Sequence, residues 1–107
     1  MFLFIDTVSL IPKLTIIKNN NIIYSKIISI NLNKQISNEI INGLLDIFEE
    51  KFHIKDFKYI GVCTGPGSFT ALRVGISAAI GIKTSLNIPL YGFSAFNIIL
   101  YYSKIYY

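Results

Sequence analysis

The run Thr64-Gly65-Pro66-Gly67-Ser68-Phe69-Thr70-Ala71-Leu72-Arg73-Val74-Gly75 constrains this chain more than any other stretch. A β-branched and apolar segment, residues 59–63, leads into it, and a small-residue helical segment follows it. That order predicts strand, tight turn, helix. Glycine tolerates positive φ and proline fixes φ near −65°, so Gly65, Pro66 and Gly67 suit a sharp reversal. Ser68 or Thr70 can then cap the helix by accepting a bond from a backbone N–H two or three residues on. Two readings of the turn stand. The glycines let strand and helix approach closely, or the open N–H groups and the positive end of the helix dipole seat an anion. The Walker spacing G-x-x-x-x-G-K-[ST] and its lysine are both missing, so a Walker loop is excluded.

The chain has 107 residues, the size of one domain. Hydrophobic residues make up 52% and charged residues 15%, which is more apolar surface than one small domain hides. That surplus favours a partner. A membrane span is not the explanation, because it needs about 20 consecutive apolar residues. The longest candidate, residues 74–82, is bracketed by Arg73 and Lys83. The start lacks a basic segment and places Asp6 within its apolar stretch, so no signal peptide is expected and the reading is cytoplasmic, with no membrane. The net charge of +4 permits nucleic-acid contact, but the lysines are scattered, which argues against direct binding. Cys63 is the single cysteine, so an intrachain disulfide and a cysteine-cluster metal site are excluded. His53 stands alone between Lys51 and Lys55 and reads as a solvated loop residue.

In chain order, residues 2–5 read as a central strand ending in Asp6-Thr7. Asp6 at a strand's C-terminal end either faces a ligand, as in open α/β sheets, or closes an Asx turn. Residues 13–18 and 22–30 read as two strands joined by the turn Asn19-Asn20-Asn21, and Pro12 bars the ladder before them. Within the second of these, Ile23, Ser25 and Ile27 are expected on one face, with Ile22, Tyr24 and Ile28 on the other. Residues 36–51 turn helical: Ile36, Ile40, Leu44 and Phe48 recur at four-residue spacing, with Ser37 available as a cap. A strand over 57–64, a helix over 70–86, a short strand over 90–92 and a last helix capped by Ser94 complete the order. On the helix 70–86, Thr70, Arg73, Ser77 and Thr84 form a polar stripe, with Ala71, Gly75, Ala78 and Ile82 opposite. The order β-β-β-α-β-α-β-α predicts an α/β fold. Its sheet is an antiparallel meander extended by parallel strands through helical crossovers. This is the ribonuclease-H-like arrangement, the repeating half of the actin-like ATPases.

Three segments then resemble one family. Ile5-Asp6-Thr7, the stretch from Thr64 to Gly75, and Asn87-Ile88-Pro89-Leu90-Tyr91-Gly92-Phe93-Ser94 are similar to motifs of TsaB, also called YeaZ. That family is the accessory, dimerisation subunit of the bacterial machinery that makes N6-threonylcarbamoyladenosine in tRNA. Its central pattern is close to GPGSFTGLRIG, from which this chain departs at Ala71 and Val74. It also has Ile36 before Ser37, where the family carries histidine. The resemblance implies residues 1–107 equivalent to the family's N-terminal ribonuclease-H-like domain, the usual second domain being absent. It implies a subunit without catalytic competence that pairs with a TsaD-like catalytic subunit, helps assemble a TsaE-like ATPase, forms a homodimer when alone and meets tRNA only through the complex. ATP or ADP is expected only at a subunit junction.

The site residues expected on these grounds fall in two groups. The motif loop comprises Asp6, Thr7, Gly65, Pro66, Gly67, Ser68, Phe69, Thr70 and Arg73, as an anion or partner contact. The partner surface comprises Ile40, Leu44, Phe48, Leu72, Gly75, Ile76 and Ala79. No catalytic and no metal residue is expected. An enzyme, either nucleotide-hydrolysing or peptidase-like, is the competing reading and would have to use Asp6, Ser68, Thr70 and Arg73. No carboxylate pair or Ser-His-acid spacing supports it. A third reading is a truncated product without function.

Overall fold

Leu3 and Ile5 alternate with Phe2 and Phe4, so the first strand is apolar on both sides and its backbone needs partners on both edges. The computed structural model, which describes residues 1–9, 11–28 and 36–97 apart from the side chains of Glu50 and Lys51, supplies them. Strand β1 (Phe2–Asp6) pairs antiparallel with β2 (Lys13–Lys18) and parallel with β4 (Tyr59–Cys63). Strand β3 (Asn21–Ile27) continues the meander beyond β2, and β5 (Leu90–Phe93) pairs parallel with β4. The sheet order is β3-β2-β1-β4-β5, the mixed α/β arrangement expected.

Each parallel pair needs a crossover, and two helices provide them. Helix α1 (Ile36–Leu45) lies between β3 and β4, and α2 (Phe69–Leu86) between β4 and β5. Asn87 closes α2 in the left-handed region at φ 54°, its N–H bonded to the carbonyl of Lys83. Leu3, Ile5, Leu14, Ile16, Ile60 and Val62 form one side of the core under Ile40, Ile47 and Ala79. Phe4, Ile17 and Cys63 form a second cluster on the sheet's other side, joined by Phe2, Val8, Ile22 and Phe93. Burial pushes the Cys63 thiol above its ordinary pKa, against a lowering bond from Gly65, so it is a core side chain and not a thiolate.

Three expectations change. The helix over 36–51 is not uniform: after Leu45 it widens into a π-helical segment, Asp46–Lys51, closed by Phe52 N–H on the Ile47 carbonyl at 2.9 Å. Through this segment Ile47 is fully buried, Phe48 meets the ring of Phe57 at 5.4 Å, and Phe52 meets Tyr24 at 5.5 Å. Ser37 lies inside α1 and not at its cap. The alternation over 22–28 also breaks. Ile16 opposes Tyr24 while Ile17 opposes Ile22, so β3 carries one extra residue, Ile23. As a result Ile22 joins the Phe4 cluster and Tyr24 the helix-side core, although two-residue spacing assigns them one side. Residues 29–35 and 98–107 lie outside the described residues, and with them the end of the third strand and most of the final helix.

Candidate functional site

The C-terminal ends of β1 and β4 lie side by side, and the two loops that leave them meet. After β1, the Asp6 carboxylate turns back on its own backbone: Oδ1 accepts the N–H groups of Val8 and Ser9, both at 3.1 Å, and the residue is 2% exposed. Of the two readings of Asp6, the Asx turn is the one observed. Thr7 points the other way. Its hydroxyl donates to the Ala71 carbonyl in the first turn of α2 at 2.6 Å, which ties the β1 loop to the helix.

After β4, Gly65 takes φ 102°, the left-handed region open to glycine, and the Gly65–Pro66 peptide is cis. Gly67 packs so closely on Val8 that a Cβ there would overlap the Val8 side chain. Ser68 caps α2 by accepting the Ala71 N–H at 3.4 Å; Thr70 sits within the helix. The Gly65 carbonyl accepts the Ala95 N–H at 2.8 Å, which fixes the turn to the end of β5. Asp6, Thr7, Gly65, Pro66, Gly67 and Ser68 are therefore brought into one layer, held by backbone bonds and close approach.

Beside this layer is an open cleft of about 660 Å³, whose polar lining is Thr7, Ser9, Ser68 and Thr70. Its described lining holds no charged side chain. The Thr7 and Ser9 hydroxyls donate to the backbone carbonyls of Ala71 and Ile11, and the Ser68 hydroxyl serves as the helix cap. Among the described residues no group of three His, Cys, Asp or Glu is placed to hold a metal ion. What the cleft offers chemically is hydroxyls and a helix N-terminus, without a general base beside a nucleophile.

Phe69 and Arg73 separate from this loop group. Phe69 is 73% exposed and the Arg73 guanidinium lies 5.5 Å from the centre of its ring, a cation–π contact one turn apart on the outside of α2. Arg73 lines a different feature, a groove between the helices. Near their N-terminal ends the groove holds about 420 Å³ between Ser37, Ile40 and Ile41 of α1 and Thr70, Arg73, Val74, Ser77 and Ala78 of α2. It continues past Ala78 into a space of about 370 Å³ lined by Phe48, Ile54, Gly81, Ile82 and Ser85.

The expected partner surface redistributes. Ile40, Gly75 and Ala79 belong to the chain's own core, because the side of α2 that carries Gly75 and Ala79 is the one the sheet receives. Leu44 and Ile76 pack half-buried on that core, and Leu72 covers Gly65. Phe48 lines the far end of the groove. The outward apolar residues that periodicity missed are Ile41 (54% exposed) and Leu45 (47%) on α1 and Ile80 on α2. A signal for them was present: Ile41 and Leu45 sit four apart, beside the inner row of Ile36, Ile40 and Leu44.

A mixed five-stranded sheet with this order of strands and crossover helices defines the actin-like, ribonuclease-H-like class. Within it, residues 26–106 match the family described as "TsaD: tRNA N6-adenosine threonylcarbamoyltransferase". The chain belongs to that family, as a member of its TsaB/YeaZ group. It is 36% identical, over 53 residues, to the tRNA threonylcarbamoyladenosine biosynthesis protein TsaB of Buchnera aphidicola subsp. Schizaphis graminum (strain Sg). That match takes in 50% of this chain and 25% of that protein. YeaZ from Pseudomonas aeruginosa superposes with a TM-score of 0.65 at 25% identity, over 87% of this chain and 42% of that one. A second structure, described as an uncharacterized protein with similarity to peptidase YEAZ from Pseudomonas aeruginosa, gives 0.63 at 21% identity over the same shares. The chain thus spans less than half of the length of the relatives it matches.

Proposed function

We propose that this chain is a partner subunit, without catalytic chemistry of its own, in the making of threonylcarbamoyladenosine in tRNA, and that it binds and stabilises a TsaD-type catalytic protein. The observation that carries this reading is the open groove between α1 and α2, with Ile41, Leu45, Ile80 and Phe69 exposed on or near its rims. Exposed large apolar side chains grouped on one helical face favour a protein partner. The family supplies the identity of that partner. The cleft beside Asp6 supports the non-catalytic part, because its hydroxyls are spent on the backbone and no carboxylate or imidazole stands beside them.

In the same reading, residues 1–107 correspond to the family's N-terminal domain and work in the cytoplasm. A TsaE-type ATPase joins the assembly, tRNA is met through the complex, and ATP or ADP binds only at a junction between chains. Without the catalytic subunit, two copies pair. Among the described residues no helix is long and apolar enough to cross a membrane.

The test is co-expression with the TsaD-type protein of the same genome, followed by size-exclusion chromatography with light scattering. A stable one-to-one complex is expected, weakened by Leu45→Asp without loss of the helical circular-dichroism signal. No complex at micromolar concentration overturns the reading. So does ATP turnover by the purified chain that Asp6→Ala abolishes.

A further inference from the structure

The two helices run side by side in the same direction: residues 37–41 and 70–74 line one end of the groove, while Phe48 and residues 82–86 line the other. Their outer rows differ in kind. On α1 and its π continuation, Ile41, Leu45 and Glu49 recur every four residues, a ridge of large apolar side chains with an acid at its C-terminal end, all exposed. On α2, Arg73, Ser77, Gly81 and Ser85 recur every four residues, a shallow trough with a base at its N-terminal end. A Cβ added at Gly81 meets nothing within 4 Å, so the trough is open. The Arg73 guanidinium rests on the Phe69 ring, and no ion pair joins it to a carboxylate among the described residues.

Ridge and trough on one chain are complementary in shape and charge, but they lie beside each other and cannot meet within it. A second copy turned through a two-fold axis across the helices brings them together. We infer that two copies pair through this face with the helices antiparallel, Glu49 of each against Arg73 of the other, Leu45 against Ser77 and Ile41 against Gly81. The register follows from the equal four-residue spacing, since rows of that spacing interdigitate when helices pack. A two-fold axis makes each contact occur twice. Both ion pairs then form together, and the helix dipoles oppose. The inference rests on the proposed function only in using the same face, and its occupant is a second copy of this chain.

The experiment measures the dimer constant of the purified chain by sedimentation equilibrium for the wild type, Arg73→Glu, Glu49→Arg and the double variant. Each single reversal turns two attractions into two repulsions and is expected to weaken dimerisation at least about tenfold. The double variant restores the opposite charges and is expected to recover most of that loss. A wild-type chain that stays monomeric overturns the inference. So do dimers indifferent to either reversal, and a double variant no better than the singles. Titrating the same four proteins with the TsaD-type partner separates the two claims. Partner binding by a monomeric chain removes the pairing alone, whereas charge-dependent pairing without partner binding removes the proposed function alone.

Discussion

Gly75 and Gly81 sit on one helix and meet opposite surroundings. A Cβ on Gly75 would lie 2.7 Å from the Thr7 hydroxyl oxygen and 3.0 Å from its methyl; on Gly81 it would meet nothing within 4 Å. The first glycine exists for this chain, because α2 must come down on the loop that leaves β1. The second does nothing for the fold and costs it about 1 kcal/mol of helix propensity. The inner side of α2 is thus shaped by the sheet, and its outer side by something the isolated domain does not supply.

Substitutions at these positions sharpen that contrast. Gly75→Ala has the largest expected effect. Overpacking and the displaced Thr7 bond outweigh the gain in helix propensity, for a net loss of about 2 kcal/mol, or roughly 8–16 °C in Tm by thermal denaturation. An unchanged Tm would mean that the close approach carries no weight. Thr7→Val keeps the shape and removes only the bond to Ala71, so about 1 kcal/mol is lost in urea unfolding. Gly81→Ala should go the other way, raising stability by up to about 1 kcal/mol. Gly81→Leu should also leave the fold intact but fill the trough, so light scattering should show weaker association at equal or higher Tm. If it associates as well as the wild type, the outer row is not an interface.

The smallest effect belongs to a pair away from α2. Lys26 and Asp46 meet at 2.8 Å with both side chains about two-fifths exposed, and Lys26→Met should cost no more than about 1 kcal/mol. The hydrogen bond to Asp46 pushes Lys26 above its ordinary 10.5, with burial opposing. A raised folded-state value means the contribution is complete below pH 10.5 and fades as pH climbs through the higher value. The difference between wild type and Lys26→Met should shrink over that alkaline range.

The fold was largely legible because its signals are local. Two-residue alternation around Leu3 and Ile5, four-residue spacing from Ile36 to Leu44, and the glycines around Pro66 each act within a few residues. The orientation of α2 was less so. Arg73, Ser77 and Thr84 read as a polar stripe, and the small residues opposite as a surface for close approach. Both descriptions are right, but which side meets the sheet depends on Thr7, 68 residues before Gly75 in the chain. Ile40, Gly75 and Ala79 were misplaced for that reason. At Asp6 the sequence left two readings open, and two backbone N–H groups decided between them. The π segment after Leu45 has no marker in residue type.

The extra residue in β3 has a consequence for how this hairpin can vary. Ile22 and Tyr24 serve opposite layers because Ile23 between them belongs to neither, projecting 44% exposed at the sheet's rim. Its removal would leave those two neighbours on the sides they already occupy, as an ordinary ladder requires. Length can therefore drift at this one point, by one residue, without scrambling either layer.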